Sequence, residues 1–263
     1  MLMENSLLCL NNASVGYKDG KSGIAVVSGI TASLRGGELV ALIGRNGAGK
    51  STLLRTLAAY QKPLSGTFEI DGVDIGALSL QELSRKISVV LTGMASVANM
   101  SVRELVALGR TPYTNFWGTL SSEDNDIVDH AMEQMEVTAF AERNIATLSD
   151  GERQKCLVAK AIAQQTPIVL LDEPTAYLDF QSKVRLMQLL KRLAEVEKKA
   201  VVVSTHDLEV ALRLADRLWL VSGGSLVEGT PGELADCGAL QAFIDDECVS
   251  YNTKENRIEI KHV

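Results

Sequence analysis

A glycine-rich segment around residue 45 carries the strongest chemical signal in the chain. Residues 44–52 read Gly-Arg-Asn-Gly-Ala-Gly-Lys-Ser-Thr and match the pattern GxxxxGK[ST]. Such a loop points its backbone N–H groups, and the start of the helix that follows, at phosphate oxygens. The lysine adds a positive charge between the β- and γ-phosphates, and the serine offers a hydroxyl to Mg²⁺. The segment therefore predicts a nucleoside triphosphate site formed by Gly44, Arg45, Asn46, Gly47, Ala48, Gly49, Lys50, Ser51 and Thr52.

Two adjacent acids end a second informative segment. Residues 168–174 read Ile-Val-Leu-Leu-Asp-Glu-Pro, which predicts a buried strand with Asp172 and Glu173 at its carboxyl end, the edge where α/β sheets bind ligands. Adjacent strand residues point to opposite sides, so the two acids are expected to have different tasks. Asp172 is predicted to join Ser51 in the Mg²⁺ shell, and Glu173 to be the base that polarises water for attack on the γ-phosphate.

The elements that must position these groups follow from the hydrophobic pattern. Short apolar runs alternate with helical stretches such as 181–197, as in an α/β protein with strands buried on both faces of a parallel sheet. The segments 5–34 and 64–75 predict antiparallel strands at one edge. Residues 93–165 predict a helical lobe inserted in the core, with capping boxes at 101–104 and 149–152. The predicted core strands are 38–43, 87–91, 168–171, 200–204 and 218–221.

Composition excludes several classes of protein. There are 26 Lys and Arg against 33 Asp and Glu, a net charge of −7, which disfavours nucleic acid as a partner. The four cysteines have no CxxC pair, and the three histidines complete no zinc-ligand spacing. No apolar run approaches the ~18–20 residues of a membrane span, and the start lacks the positive charge of a signal peptide. We expect a cytoplasmic chain.

A third motif makes the assignment specific. Residues 146–154 read Ala-Thr-Leu-Ser-Asp-Gly-Glu-Arg-Gln and resemble the LSGGQ signature of ATP-binding cassette (ABC) ATPases. The family's other features occur in the same order, with Tyr17 before the glycine-rich loop, Asp179 in the loop after the acids, and His206 after the strand ending at Ser204. The resemblance extends from about residue 7 to about 235. It implies a P-loop NTPase (RecA-like) parallel-sheet core with an antiparallel β edge subdomain and an inserted α-helical subdomain.

The resemblance also implies roles for individual residues. Tyr17 would stack on adenine, and packing against a strand edge is the alternative. His206 would contact the γ-phosphate and hold Glu173 and the attacking water, although a lone histidine can be structural. Ser149 and Glu152 could form only a helix cap, which is compatible with a second role. In that role a signature from a second copy would close over the γ-phosphate, using Leu148, Ser149, Asp150, Gly151 and Glu152.

Three departures from the family pattern stand out. Asp150 and Glu152 replace the usual Gly and Gln, which puts two acids where a partner's γ-phosphate should dock. Thr92 occupies the position of a glutamine that senses the γ-phosphate and Mg²⁺, and its shorter side chain suits contact through water. The bulky Tyr177 replaces a small residue in the loop of Asp179, so the dimer seam is expected to pack differently.

Partners and location follow from the resemblance as well. One set of motifs implies a homodimer that binds ATP and Mg²⁺. The resemblance further implies a dimeric polytopic permease as a separate chain and, through it, an indirect link to a substrate-binding protein. The protein would then lie on the inner face of the cell membrane. Residues 99–113 resemble the corresponding segment of importers of iron–siderophores, haem and cobalamin, although an amphipathic lobe helix would explain them too. A non-transport ABC ATPase, or the ATPase of an exporter with a separate permease, is the alternative.

The end of the chain is less informative. We predict an ATPase domain over residues 1–245 and a short C-terminal extension over residues 246–263. Residues 256–260 alternate like an edge strand.

Overall fold

The computed structural model describes residues 6–19, 22–91, 99–176, 178–246, 248–252 and 257–261. Its strands, in chain order, are β1 (Ser6–Asp19), β2 (Ser22–Arg35), β3 (Leu39–Gly44), β4 (Ser65–Ile70), β5 (Val73–Asp74), β6 (Ile87–Val90), β7 (Ile168–Asp172), β8 (Ala200–Thr205), β9 (Arg217–Ser222), β10 (Ser225–Gly229), β11 (Val249–Asn252) and β12 (Arg257–Ile260).

Helices connect these strands and cover the faces of the sheets. They are α1 (Lys50–Leu57), α2 (Leu80–Lys86), α3 (Val102–Ala107), α4 (Ser122–Gln134), α5 (Asp150–Ala163), α6 (Phe180–Glu197), α7 (Leu208–Leu214), α8 (Pro231–Asp236) and α9 (Ala239–Ile244). Short 3₁₀ turns occur at Ile75–Ala77, Leu108–Arg110, Thr138–Phe140 and Ile145–Thr147.

The central sheet confirms the predicted parallel core. Its strand order in the described part of the chain is β10-β9-β3-β8-β7-β6, and β9, β3, β8, β7 and β6 run parallel. These five strands correspond to the five apolar runs of the sequence, and no strand end is shifted by more than one residue. Strands β3, β7 and β8 are buried at every residue, as expected for strands covered on both faces.

The predicted β-rich edge is a separate antiparallel sheet in the order β2-β1-β4-β5. It lies over one face of the central sheet, because Phe68 of β4 shares an apolar cluster with Leu54 of α1, Val202 of β8 and Trp219 of β9. This sheet holds the segment around Val26 and Val27 against the glycine-rich loop.

The predicted helical lobe is confirmed for the described part of residues 93–165. Helices α3, α4 and α5 pack together around residues that include Val106, Met132 and Cys156, and the same cluster reaches Val169 of β7 and Leu186 of α6. Both predicted capping boxes are present, at Ser101 and Glu104 and at Ser149 and Glu152. The lobe therefore shares its apolar core with the central sheet.

A buried ion pair ties the lobe together. Arg110, 5% exposed, donates from Nε to Asp124 Oδ1 at 2.8 Å and from Nη1 to the Ala163 carbonyl at 2.9 Å. Its guanidinium also lies over the ring of Tyr113, 4.1 Å from the centroid. These contacts join the 3₁₀ turn at residue 110 to α4 and to the end of α5.

The C-terminal residues form the antiparallel hairpin of β11 and β12, which confirms the predicted edge strand over residues 257–260. Tyr251 of β11 is buried in a cluster with Ile244 of α9 and Leu220 of β9, and Ile258 packs at its edge. The hairpin thus packs on the core sheet through α9, and the domain boundary at residue 245 stays a prediction.

None of the helices that the structure describes is both long enough and apolar enough to cross a membrane.

Candidate nucleotide site

The glycine-rich loop lies where the sequence predicted it, between the end of β3 at Gly44 and the start of α1 at Lys50. Gly47 and Gly49 have φ values of +81° and +107°, a region that favours glycine. A Cβ on Gly49 would stand 2.6 Å from Val26 Cγ1, so the neighbouring sheet leaves no room for a side chain. Glycine at position 49 thus lets the loop turn tightly into the helix, whose N-terminus then faces the cleft.

Lys50 brings the loop and the acidic strand together. Its side chain is 6% exposed, and Nζ donates to the Gly44 carbonyl at 2.8 Å. The same Nζ lies 3.6 Å from Glu173 Oε1. The ammonium is therefore held inside the loop, beside the carboxylate predicted to act as the base.

A chain of hydroxyl and carboxylate groups forms the floor of the site. Ser51 Oγ donates to Asp172 Oδ1 at 3.2 Å, and Ser204 Oγ donates to the same oxygen at 2.7 Å. Ser204 Oγ also accepts the backbone N–H of Glu173 at 2.8 Å. Asp172 and Glu173 thus have different side-chain partners, as their opposite orientations predicted.

Glu173 adopts an uncommon backbone conformation for a non-glycine residue, with φ +50°. This turn directs its carboxylate to His206, whose Nδ1 lies 2.8 Å from Glu173 Oε2. His206 lies between β8 and α7, and its ring is more than half exposed at the cleft. The two predicted catalytic residues are therefore within hydrogen-bond distance of each other.

These residues line one open cleft of about 720 Å³, a size typical of small-molecule sites. Tyr17 borders it with about half of its surface exposed, and its hydroxyl shares a 2.8 Å hydrogen bond with Thr52 Oγ1. Val26 and Leu157 provide apolar wall on the two sides. The cleft thus combines an exposed aromatic ring with a cation, two acids and a helix N-terminus.

The cleft fits Mg²⁺ together with a nucleotide. Ser51 and Asp172 present oxygen atoms, the ligands that Mg²⁺ prefers, next to a loop shaped for phosphates. Within the described residues there is no cluster of three or more His, Cys, Asp or Glu side chains able to hold a metal by themselves. Mg²⁺ commonly binds through one or two protein oxygens plus substrate phosphates, so this donor set suits it.

The signature residues lie apart from that cleft. Ser149 is the N-cap of α5, and its hydroxyl and backbone N–H both donate to Glu152 Oε2, at 2.7 and 2.8 Å. These two hydrogen bonds lower the pKa of Glu152. Asp150 Oδ1 accepts from Arg153 Nη2 at 2.5 Å. None of the described residues from Leu148 to Glu152 lines the cleft. Their role toward a second copy stays a prediction.

Three further residues that the sequence singled out have different outcomes. Asp179 is the N-cap of α6 and accepts the Ser182 backbone N–H at 2.8 Å, a contact that lowers the pKa of its carboxyl. Thr92 and Tyr177 lie outside the described residues. The dimer-seam role of Asp179 and the sensor role of Thr92 stay predictions.

Sequence reasoning missed three side chains at the site. Ser204 was noted only as the end of a predicted strand. A hydroxyl directly after three valines in a buried strand does indicate that it has a polar partner. Arg153 and Gln154 line the cleft from the first turns of α5, within the same chain. Their place depends on how the lobe packs against the core.

Comparison with known proteins supports one family. Residues 27–176 match the ABC transporter family model. The chain is 37% identical to an uncharacterised ABC transporter ATP-binding protein of Methanocaldococcus jannaschii, over 97% of this chain and 87% of that protein. It is 34% identical to a Bacillus subtilis protein named as a siderophore transport system ATP-binding protein, over 94% and 88%. A cobalamin import ATP-binding protein of Halobacterium salinarum is 40% identical over 85% of this chain, which spans 56% of that relative.

Solved structures agree. An inward-facing ABC transporter described as metal-chelate type contains a chain that matches 97% of this one with a TM-score of 0.78 and 26% identity, over 96% of its own length. A bacterial ABC transporter cassette, solved as a dimer, matches 85% of this chain and 98% of its own with a TM-score of 0.74 and 31% identity. Taken with the glycine-rich loop, the acid pair and the signature at the start of α5, these matches show that the chain belongs to the ABC transporter family as an ATP-binding cassette.

Proposed function

We propose that the chain is the ATP-hydrolysing subunit of an ABC importer that drives uptake of an iron–siderophore, or of a related metal chelate such as haem or cobalamin, through a separate permease. The names of the siderophore and cobalamin relatives support the importer assignment. The resemblance of residues 99–113 to importers of the same kind adds to it. The observation that carries the hydrolytic activity is the contact chain from Lys50 through Glu173 to His206.

Binding of ATP uses the two ends of the cleft. The exposed Tyr17 ring offers a π-face to adenine, and the loop N–H groups with Lys50 receive the phosphates. Lys50 now lies beside Glu173, 3.6 Å from its carboxylate. A γ-phosphate would take over that ammonium, which leaves the Glu173 carboxylate available to a water molecule.

Ser51 and Asp172 would hold Mg²⁺, which, when bound, neutralises charge on the β- and γ-phosphates. Glu173 orients water and accepts its proton as the water oxygen bonds to the γ-phosphorus. The bond from that phosphorus to the β–γ bridging oxygen breaks, which leaves ADP and inorganic phosphate. His206 holds Glu173 through Nδ1 and presents the rest of its exposed ring to the γ-phosphate.

A second copy completes the site. A dimer would bring the α5 N-terminus of one copy, residues 148–152, onto the γ-phosphate held by the other, and would place Asp179 at the seam. Cassettes of this family crystallise as dimers. Closure on ATP and opening after hydrolysis form the two-state change that would move a permease.

The remaining partners lie at the membrane. A dimeric polytopic permease would anchor the cassette on the inner face of the cell membrane, and a substrate-binding protein would deliver the chelate on the other side. The cargo itself is handled by the permease, so this chain would respond to it only through the permease.

The test is to solubilise native membranes gently, capture the tagged chain, and identify what accompanies it by mass spectrometry. A polytopic membrane protein in equal copy is expected, and vesicles carrying that complex should take up a ⁵⁵Fe-labelled siderophore or labelled cobalamin when supplied with ATP. Recovery of soluble partners alone would contradict the transport assignment. A complex that only extrudes solute would contradict import.

A further inference from the structure

Ser204 lies between two functional strands, and neither its position in the sequence nor the family motifs give it a role. Strand β8 lies between β3, which leads into the phosphate-binding loop, and β7, which ends in the acids. In the strand register Ser204 is paired with Asp172 on one side and with Leu42 on the other. Register partners on neighbouring parallel strands point to the same face, so the Ser204 hydroxyl lies beside the Asp172 carboxylate.

The hydrogen bonds of this hydroxyl run in two directions. It donates to Asp172 Oδ1 at 2.7 Å and accepts from the Glu173 backbone N–H at 2.8 Å. Ser204 is 0% exposed, so water cannot replace either contact without opening the sheet. One side chain therefore holds both the acid of the predicted Mg²⁺ shell and the backbone of the predicted base.

The second of these bonds stabilises an uncommon conformation. Glu173 has φ +50°, which costs a non-glycine residue free energy unless its surroundings hold it. The turn directs the Glu173 carboxylate to His206 at 2.8 Å and keeps it 3.6 Å from Lys50 Nζ. Loss of the Ser204 acceptor would leave a buried N–H unpaired at this turn and let the backbone relax away.

We propose that Ser204 is a positioning residue for ATP hydrolysis, which holds Asp172 and Glu173 in one arrangement relative to each other. This inference rests on the proposed function of the same site. The Ser204 hydroxyl does not line the cleft, and it would act through the two acids that it contacts. Its loss should lower the rate of the chemical step and leave nucleotide binding by the loop nearly unchanged.

The variant Ser204→Ala tests this in the purified full-length protein. We expect kcat for ATP to fall on the order of 10- to 100-fold, because small misplacement of a catalytic group is costly, while KM changes by less than about threefold. Ser204→Cys keeps nearly the same shape with a weaker donor and acceptor, so its kcat should be intermediate. A kcat that falls from serine to cysteine to alanine would show that residue 204 positions the acids through its hydroxyl.

A matched control removes a similar buried hydroxyl elsewhere in the sheet. Ser88 on β6 is also 0% exposed and accepts a 2.9 Å hydrogen bond from Thr166, distant from both acids. Ser88→Ala should lower stability without changing kcat. The proposal is overturned if Ser204→Ala keeps kcat within about twofold of the wild type, if Ser88→Ala lowers kcat equally, or if the cysteine variant is no better than alanine.

The outcome is separable from the proposed function. If the wild type hydrolyses ATP and Glu173→Gln does not, the site assignment stands whatever Ser204→Ala does. If the wild type itself fails to hydrolyse ATP in the complete transporter, the proposed function fails first. Thermal unfolding of each variant identifies misfolding. If Ser204→Ala misfolds, Ser204→Cys decides, because a kcat within about twofold of the wild type would then overturn the proposal, whereas a lower kcat with an unchanged KM would support it.

Discussion

The phosphate-binding loop at α1 and the signature turn at α5 both present a helix N-terminus suited to anions, yet their side chains have opposite surroundings. At the loop, Lys50 is buried and the acids opposite it are linked through Ser204. At the signature, Ser149 is exposed and its hydroxyl already donates to Glu152 of its own helix. One half of the nucleotide site is thus assembled within a single chain, whereas the other half is occupied by an internal cap.

The difference teaches where a second copy must contribute energy. In the proposed dimer the signature would exchange the Glu152 carboxylate for a partner's γ-phosphate, and Asp150, which pairs with Arg153, would add a second acid at the same turn. We therefore predict that these two acids oppose dimer closure rather than nucleotide binding.

The largest effect should come from the assembled half. Glu173→Gln removes the carboxylate that accepts the proton from water, so kcat should fall by roughly 100-fold or more, the contribution of a general base. ATP binding should stay within about threefold, and the closed dimer should accumulate with ATP. Phosphate release and size-exclusion chromatography with ATP measure the two effects.

Glu195→Gln, on the exposed face of α6, is the control for loss of a carboxylate and should behave as the wild type. A Glu173→Gln protein that hydrolyses ATP at the wild-type rate would contradict the role given to Glu173.

The helical lobe that carries the signature depends on a different buried group. Arg110→Met leaves Asp124 without its buried ion-pair partner, which should lower the free energy of unfolding by on the order of 3–5 kcal/mol. Arg103→Met breaks the exposed pair with Asp129 in the same lobe and should cost about 1 kcal/mol or less. Urea unfolding of both variants is the measurement, and equal losses would refute the distinction.

The same ion pair makes lobe stability dependent on pH. Hydrogen bonds from Ser121 and from Arg110 lower the pKa of Asp124 from 3.8 to about 2. Because the folded-state pKa is the lower one, the carboxylate stabilises the fold above 3.8, and this contribution is lost as the pH falls toward 2.

Urea unfolding from about pH 7 to about pH 3 measures the free energy of unfolding of the wild type and of Asp124→Asn. The difference between the two should be constant and should shrink only below about pH 4. If that difference already shrinks near neutral pH, the pH dependence comes from a group other than Asp124.

The smallest effect concerns the signature cap. In a Glu173→Gln background, Glu152→Gln should lower the ATP concentration needed for half-maximal dimer formation by about two- to fivefold, because an exposed like charge costs ~0.5–1 kcal/mol. Asp150→Gly should shift it in the same direction, and added salt should reduce both shifts.

The control is Glu82→Gln, at the equivalent capping box of α2 with Ser79. A cap effect alone would appear in both glutamine variants as lost stability without any change in dimer formation. No shift for Glu152→Gln or Asp150→Gly would remove the idea that these acids oppose closure.

Much of the site was predictable because its signals are local. The glycines that permit positive φ, Lys50 at the start of a helix, and two acids at the end of an apolar strand each act within a few residues of chain. The capping boxes at Ser101 and Ser149 were predictable for the same reason. Hydrophobic periodicity likewise predicted the five parallel strands and the helical lobe. A helix buried on one face has apolar residues once per turn, and a strand has them at every second residue or, when both faces are buried, in a continuous run.

Local sequence was enough to show which groups could bind a triphosphate and which elements carry them. The three-dimensional packing was needed to place β8 between β3 and β7, which sets Ser204 beside Asp172, and to bring Arg110 to Asp124 and the end of α5. The physical reason is that strand order and register are chosen by the packing of whole apolar faces against each other. No short segment of sequence encodes the strand order or register. A polar contact between distant segments therefore cannot be predicted locally, and a buried hydroxyl or arginine is its only sign in the sequence.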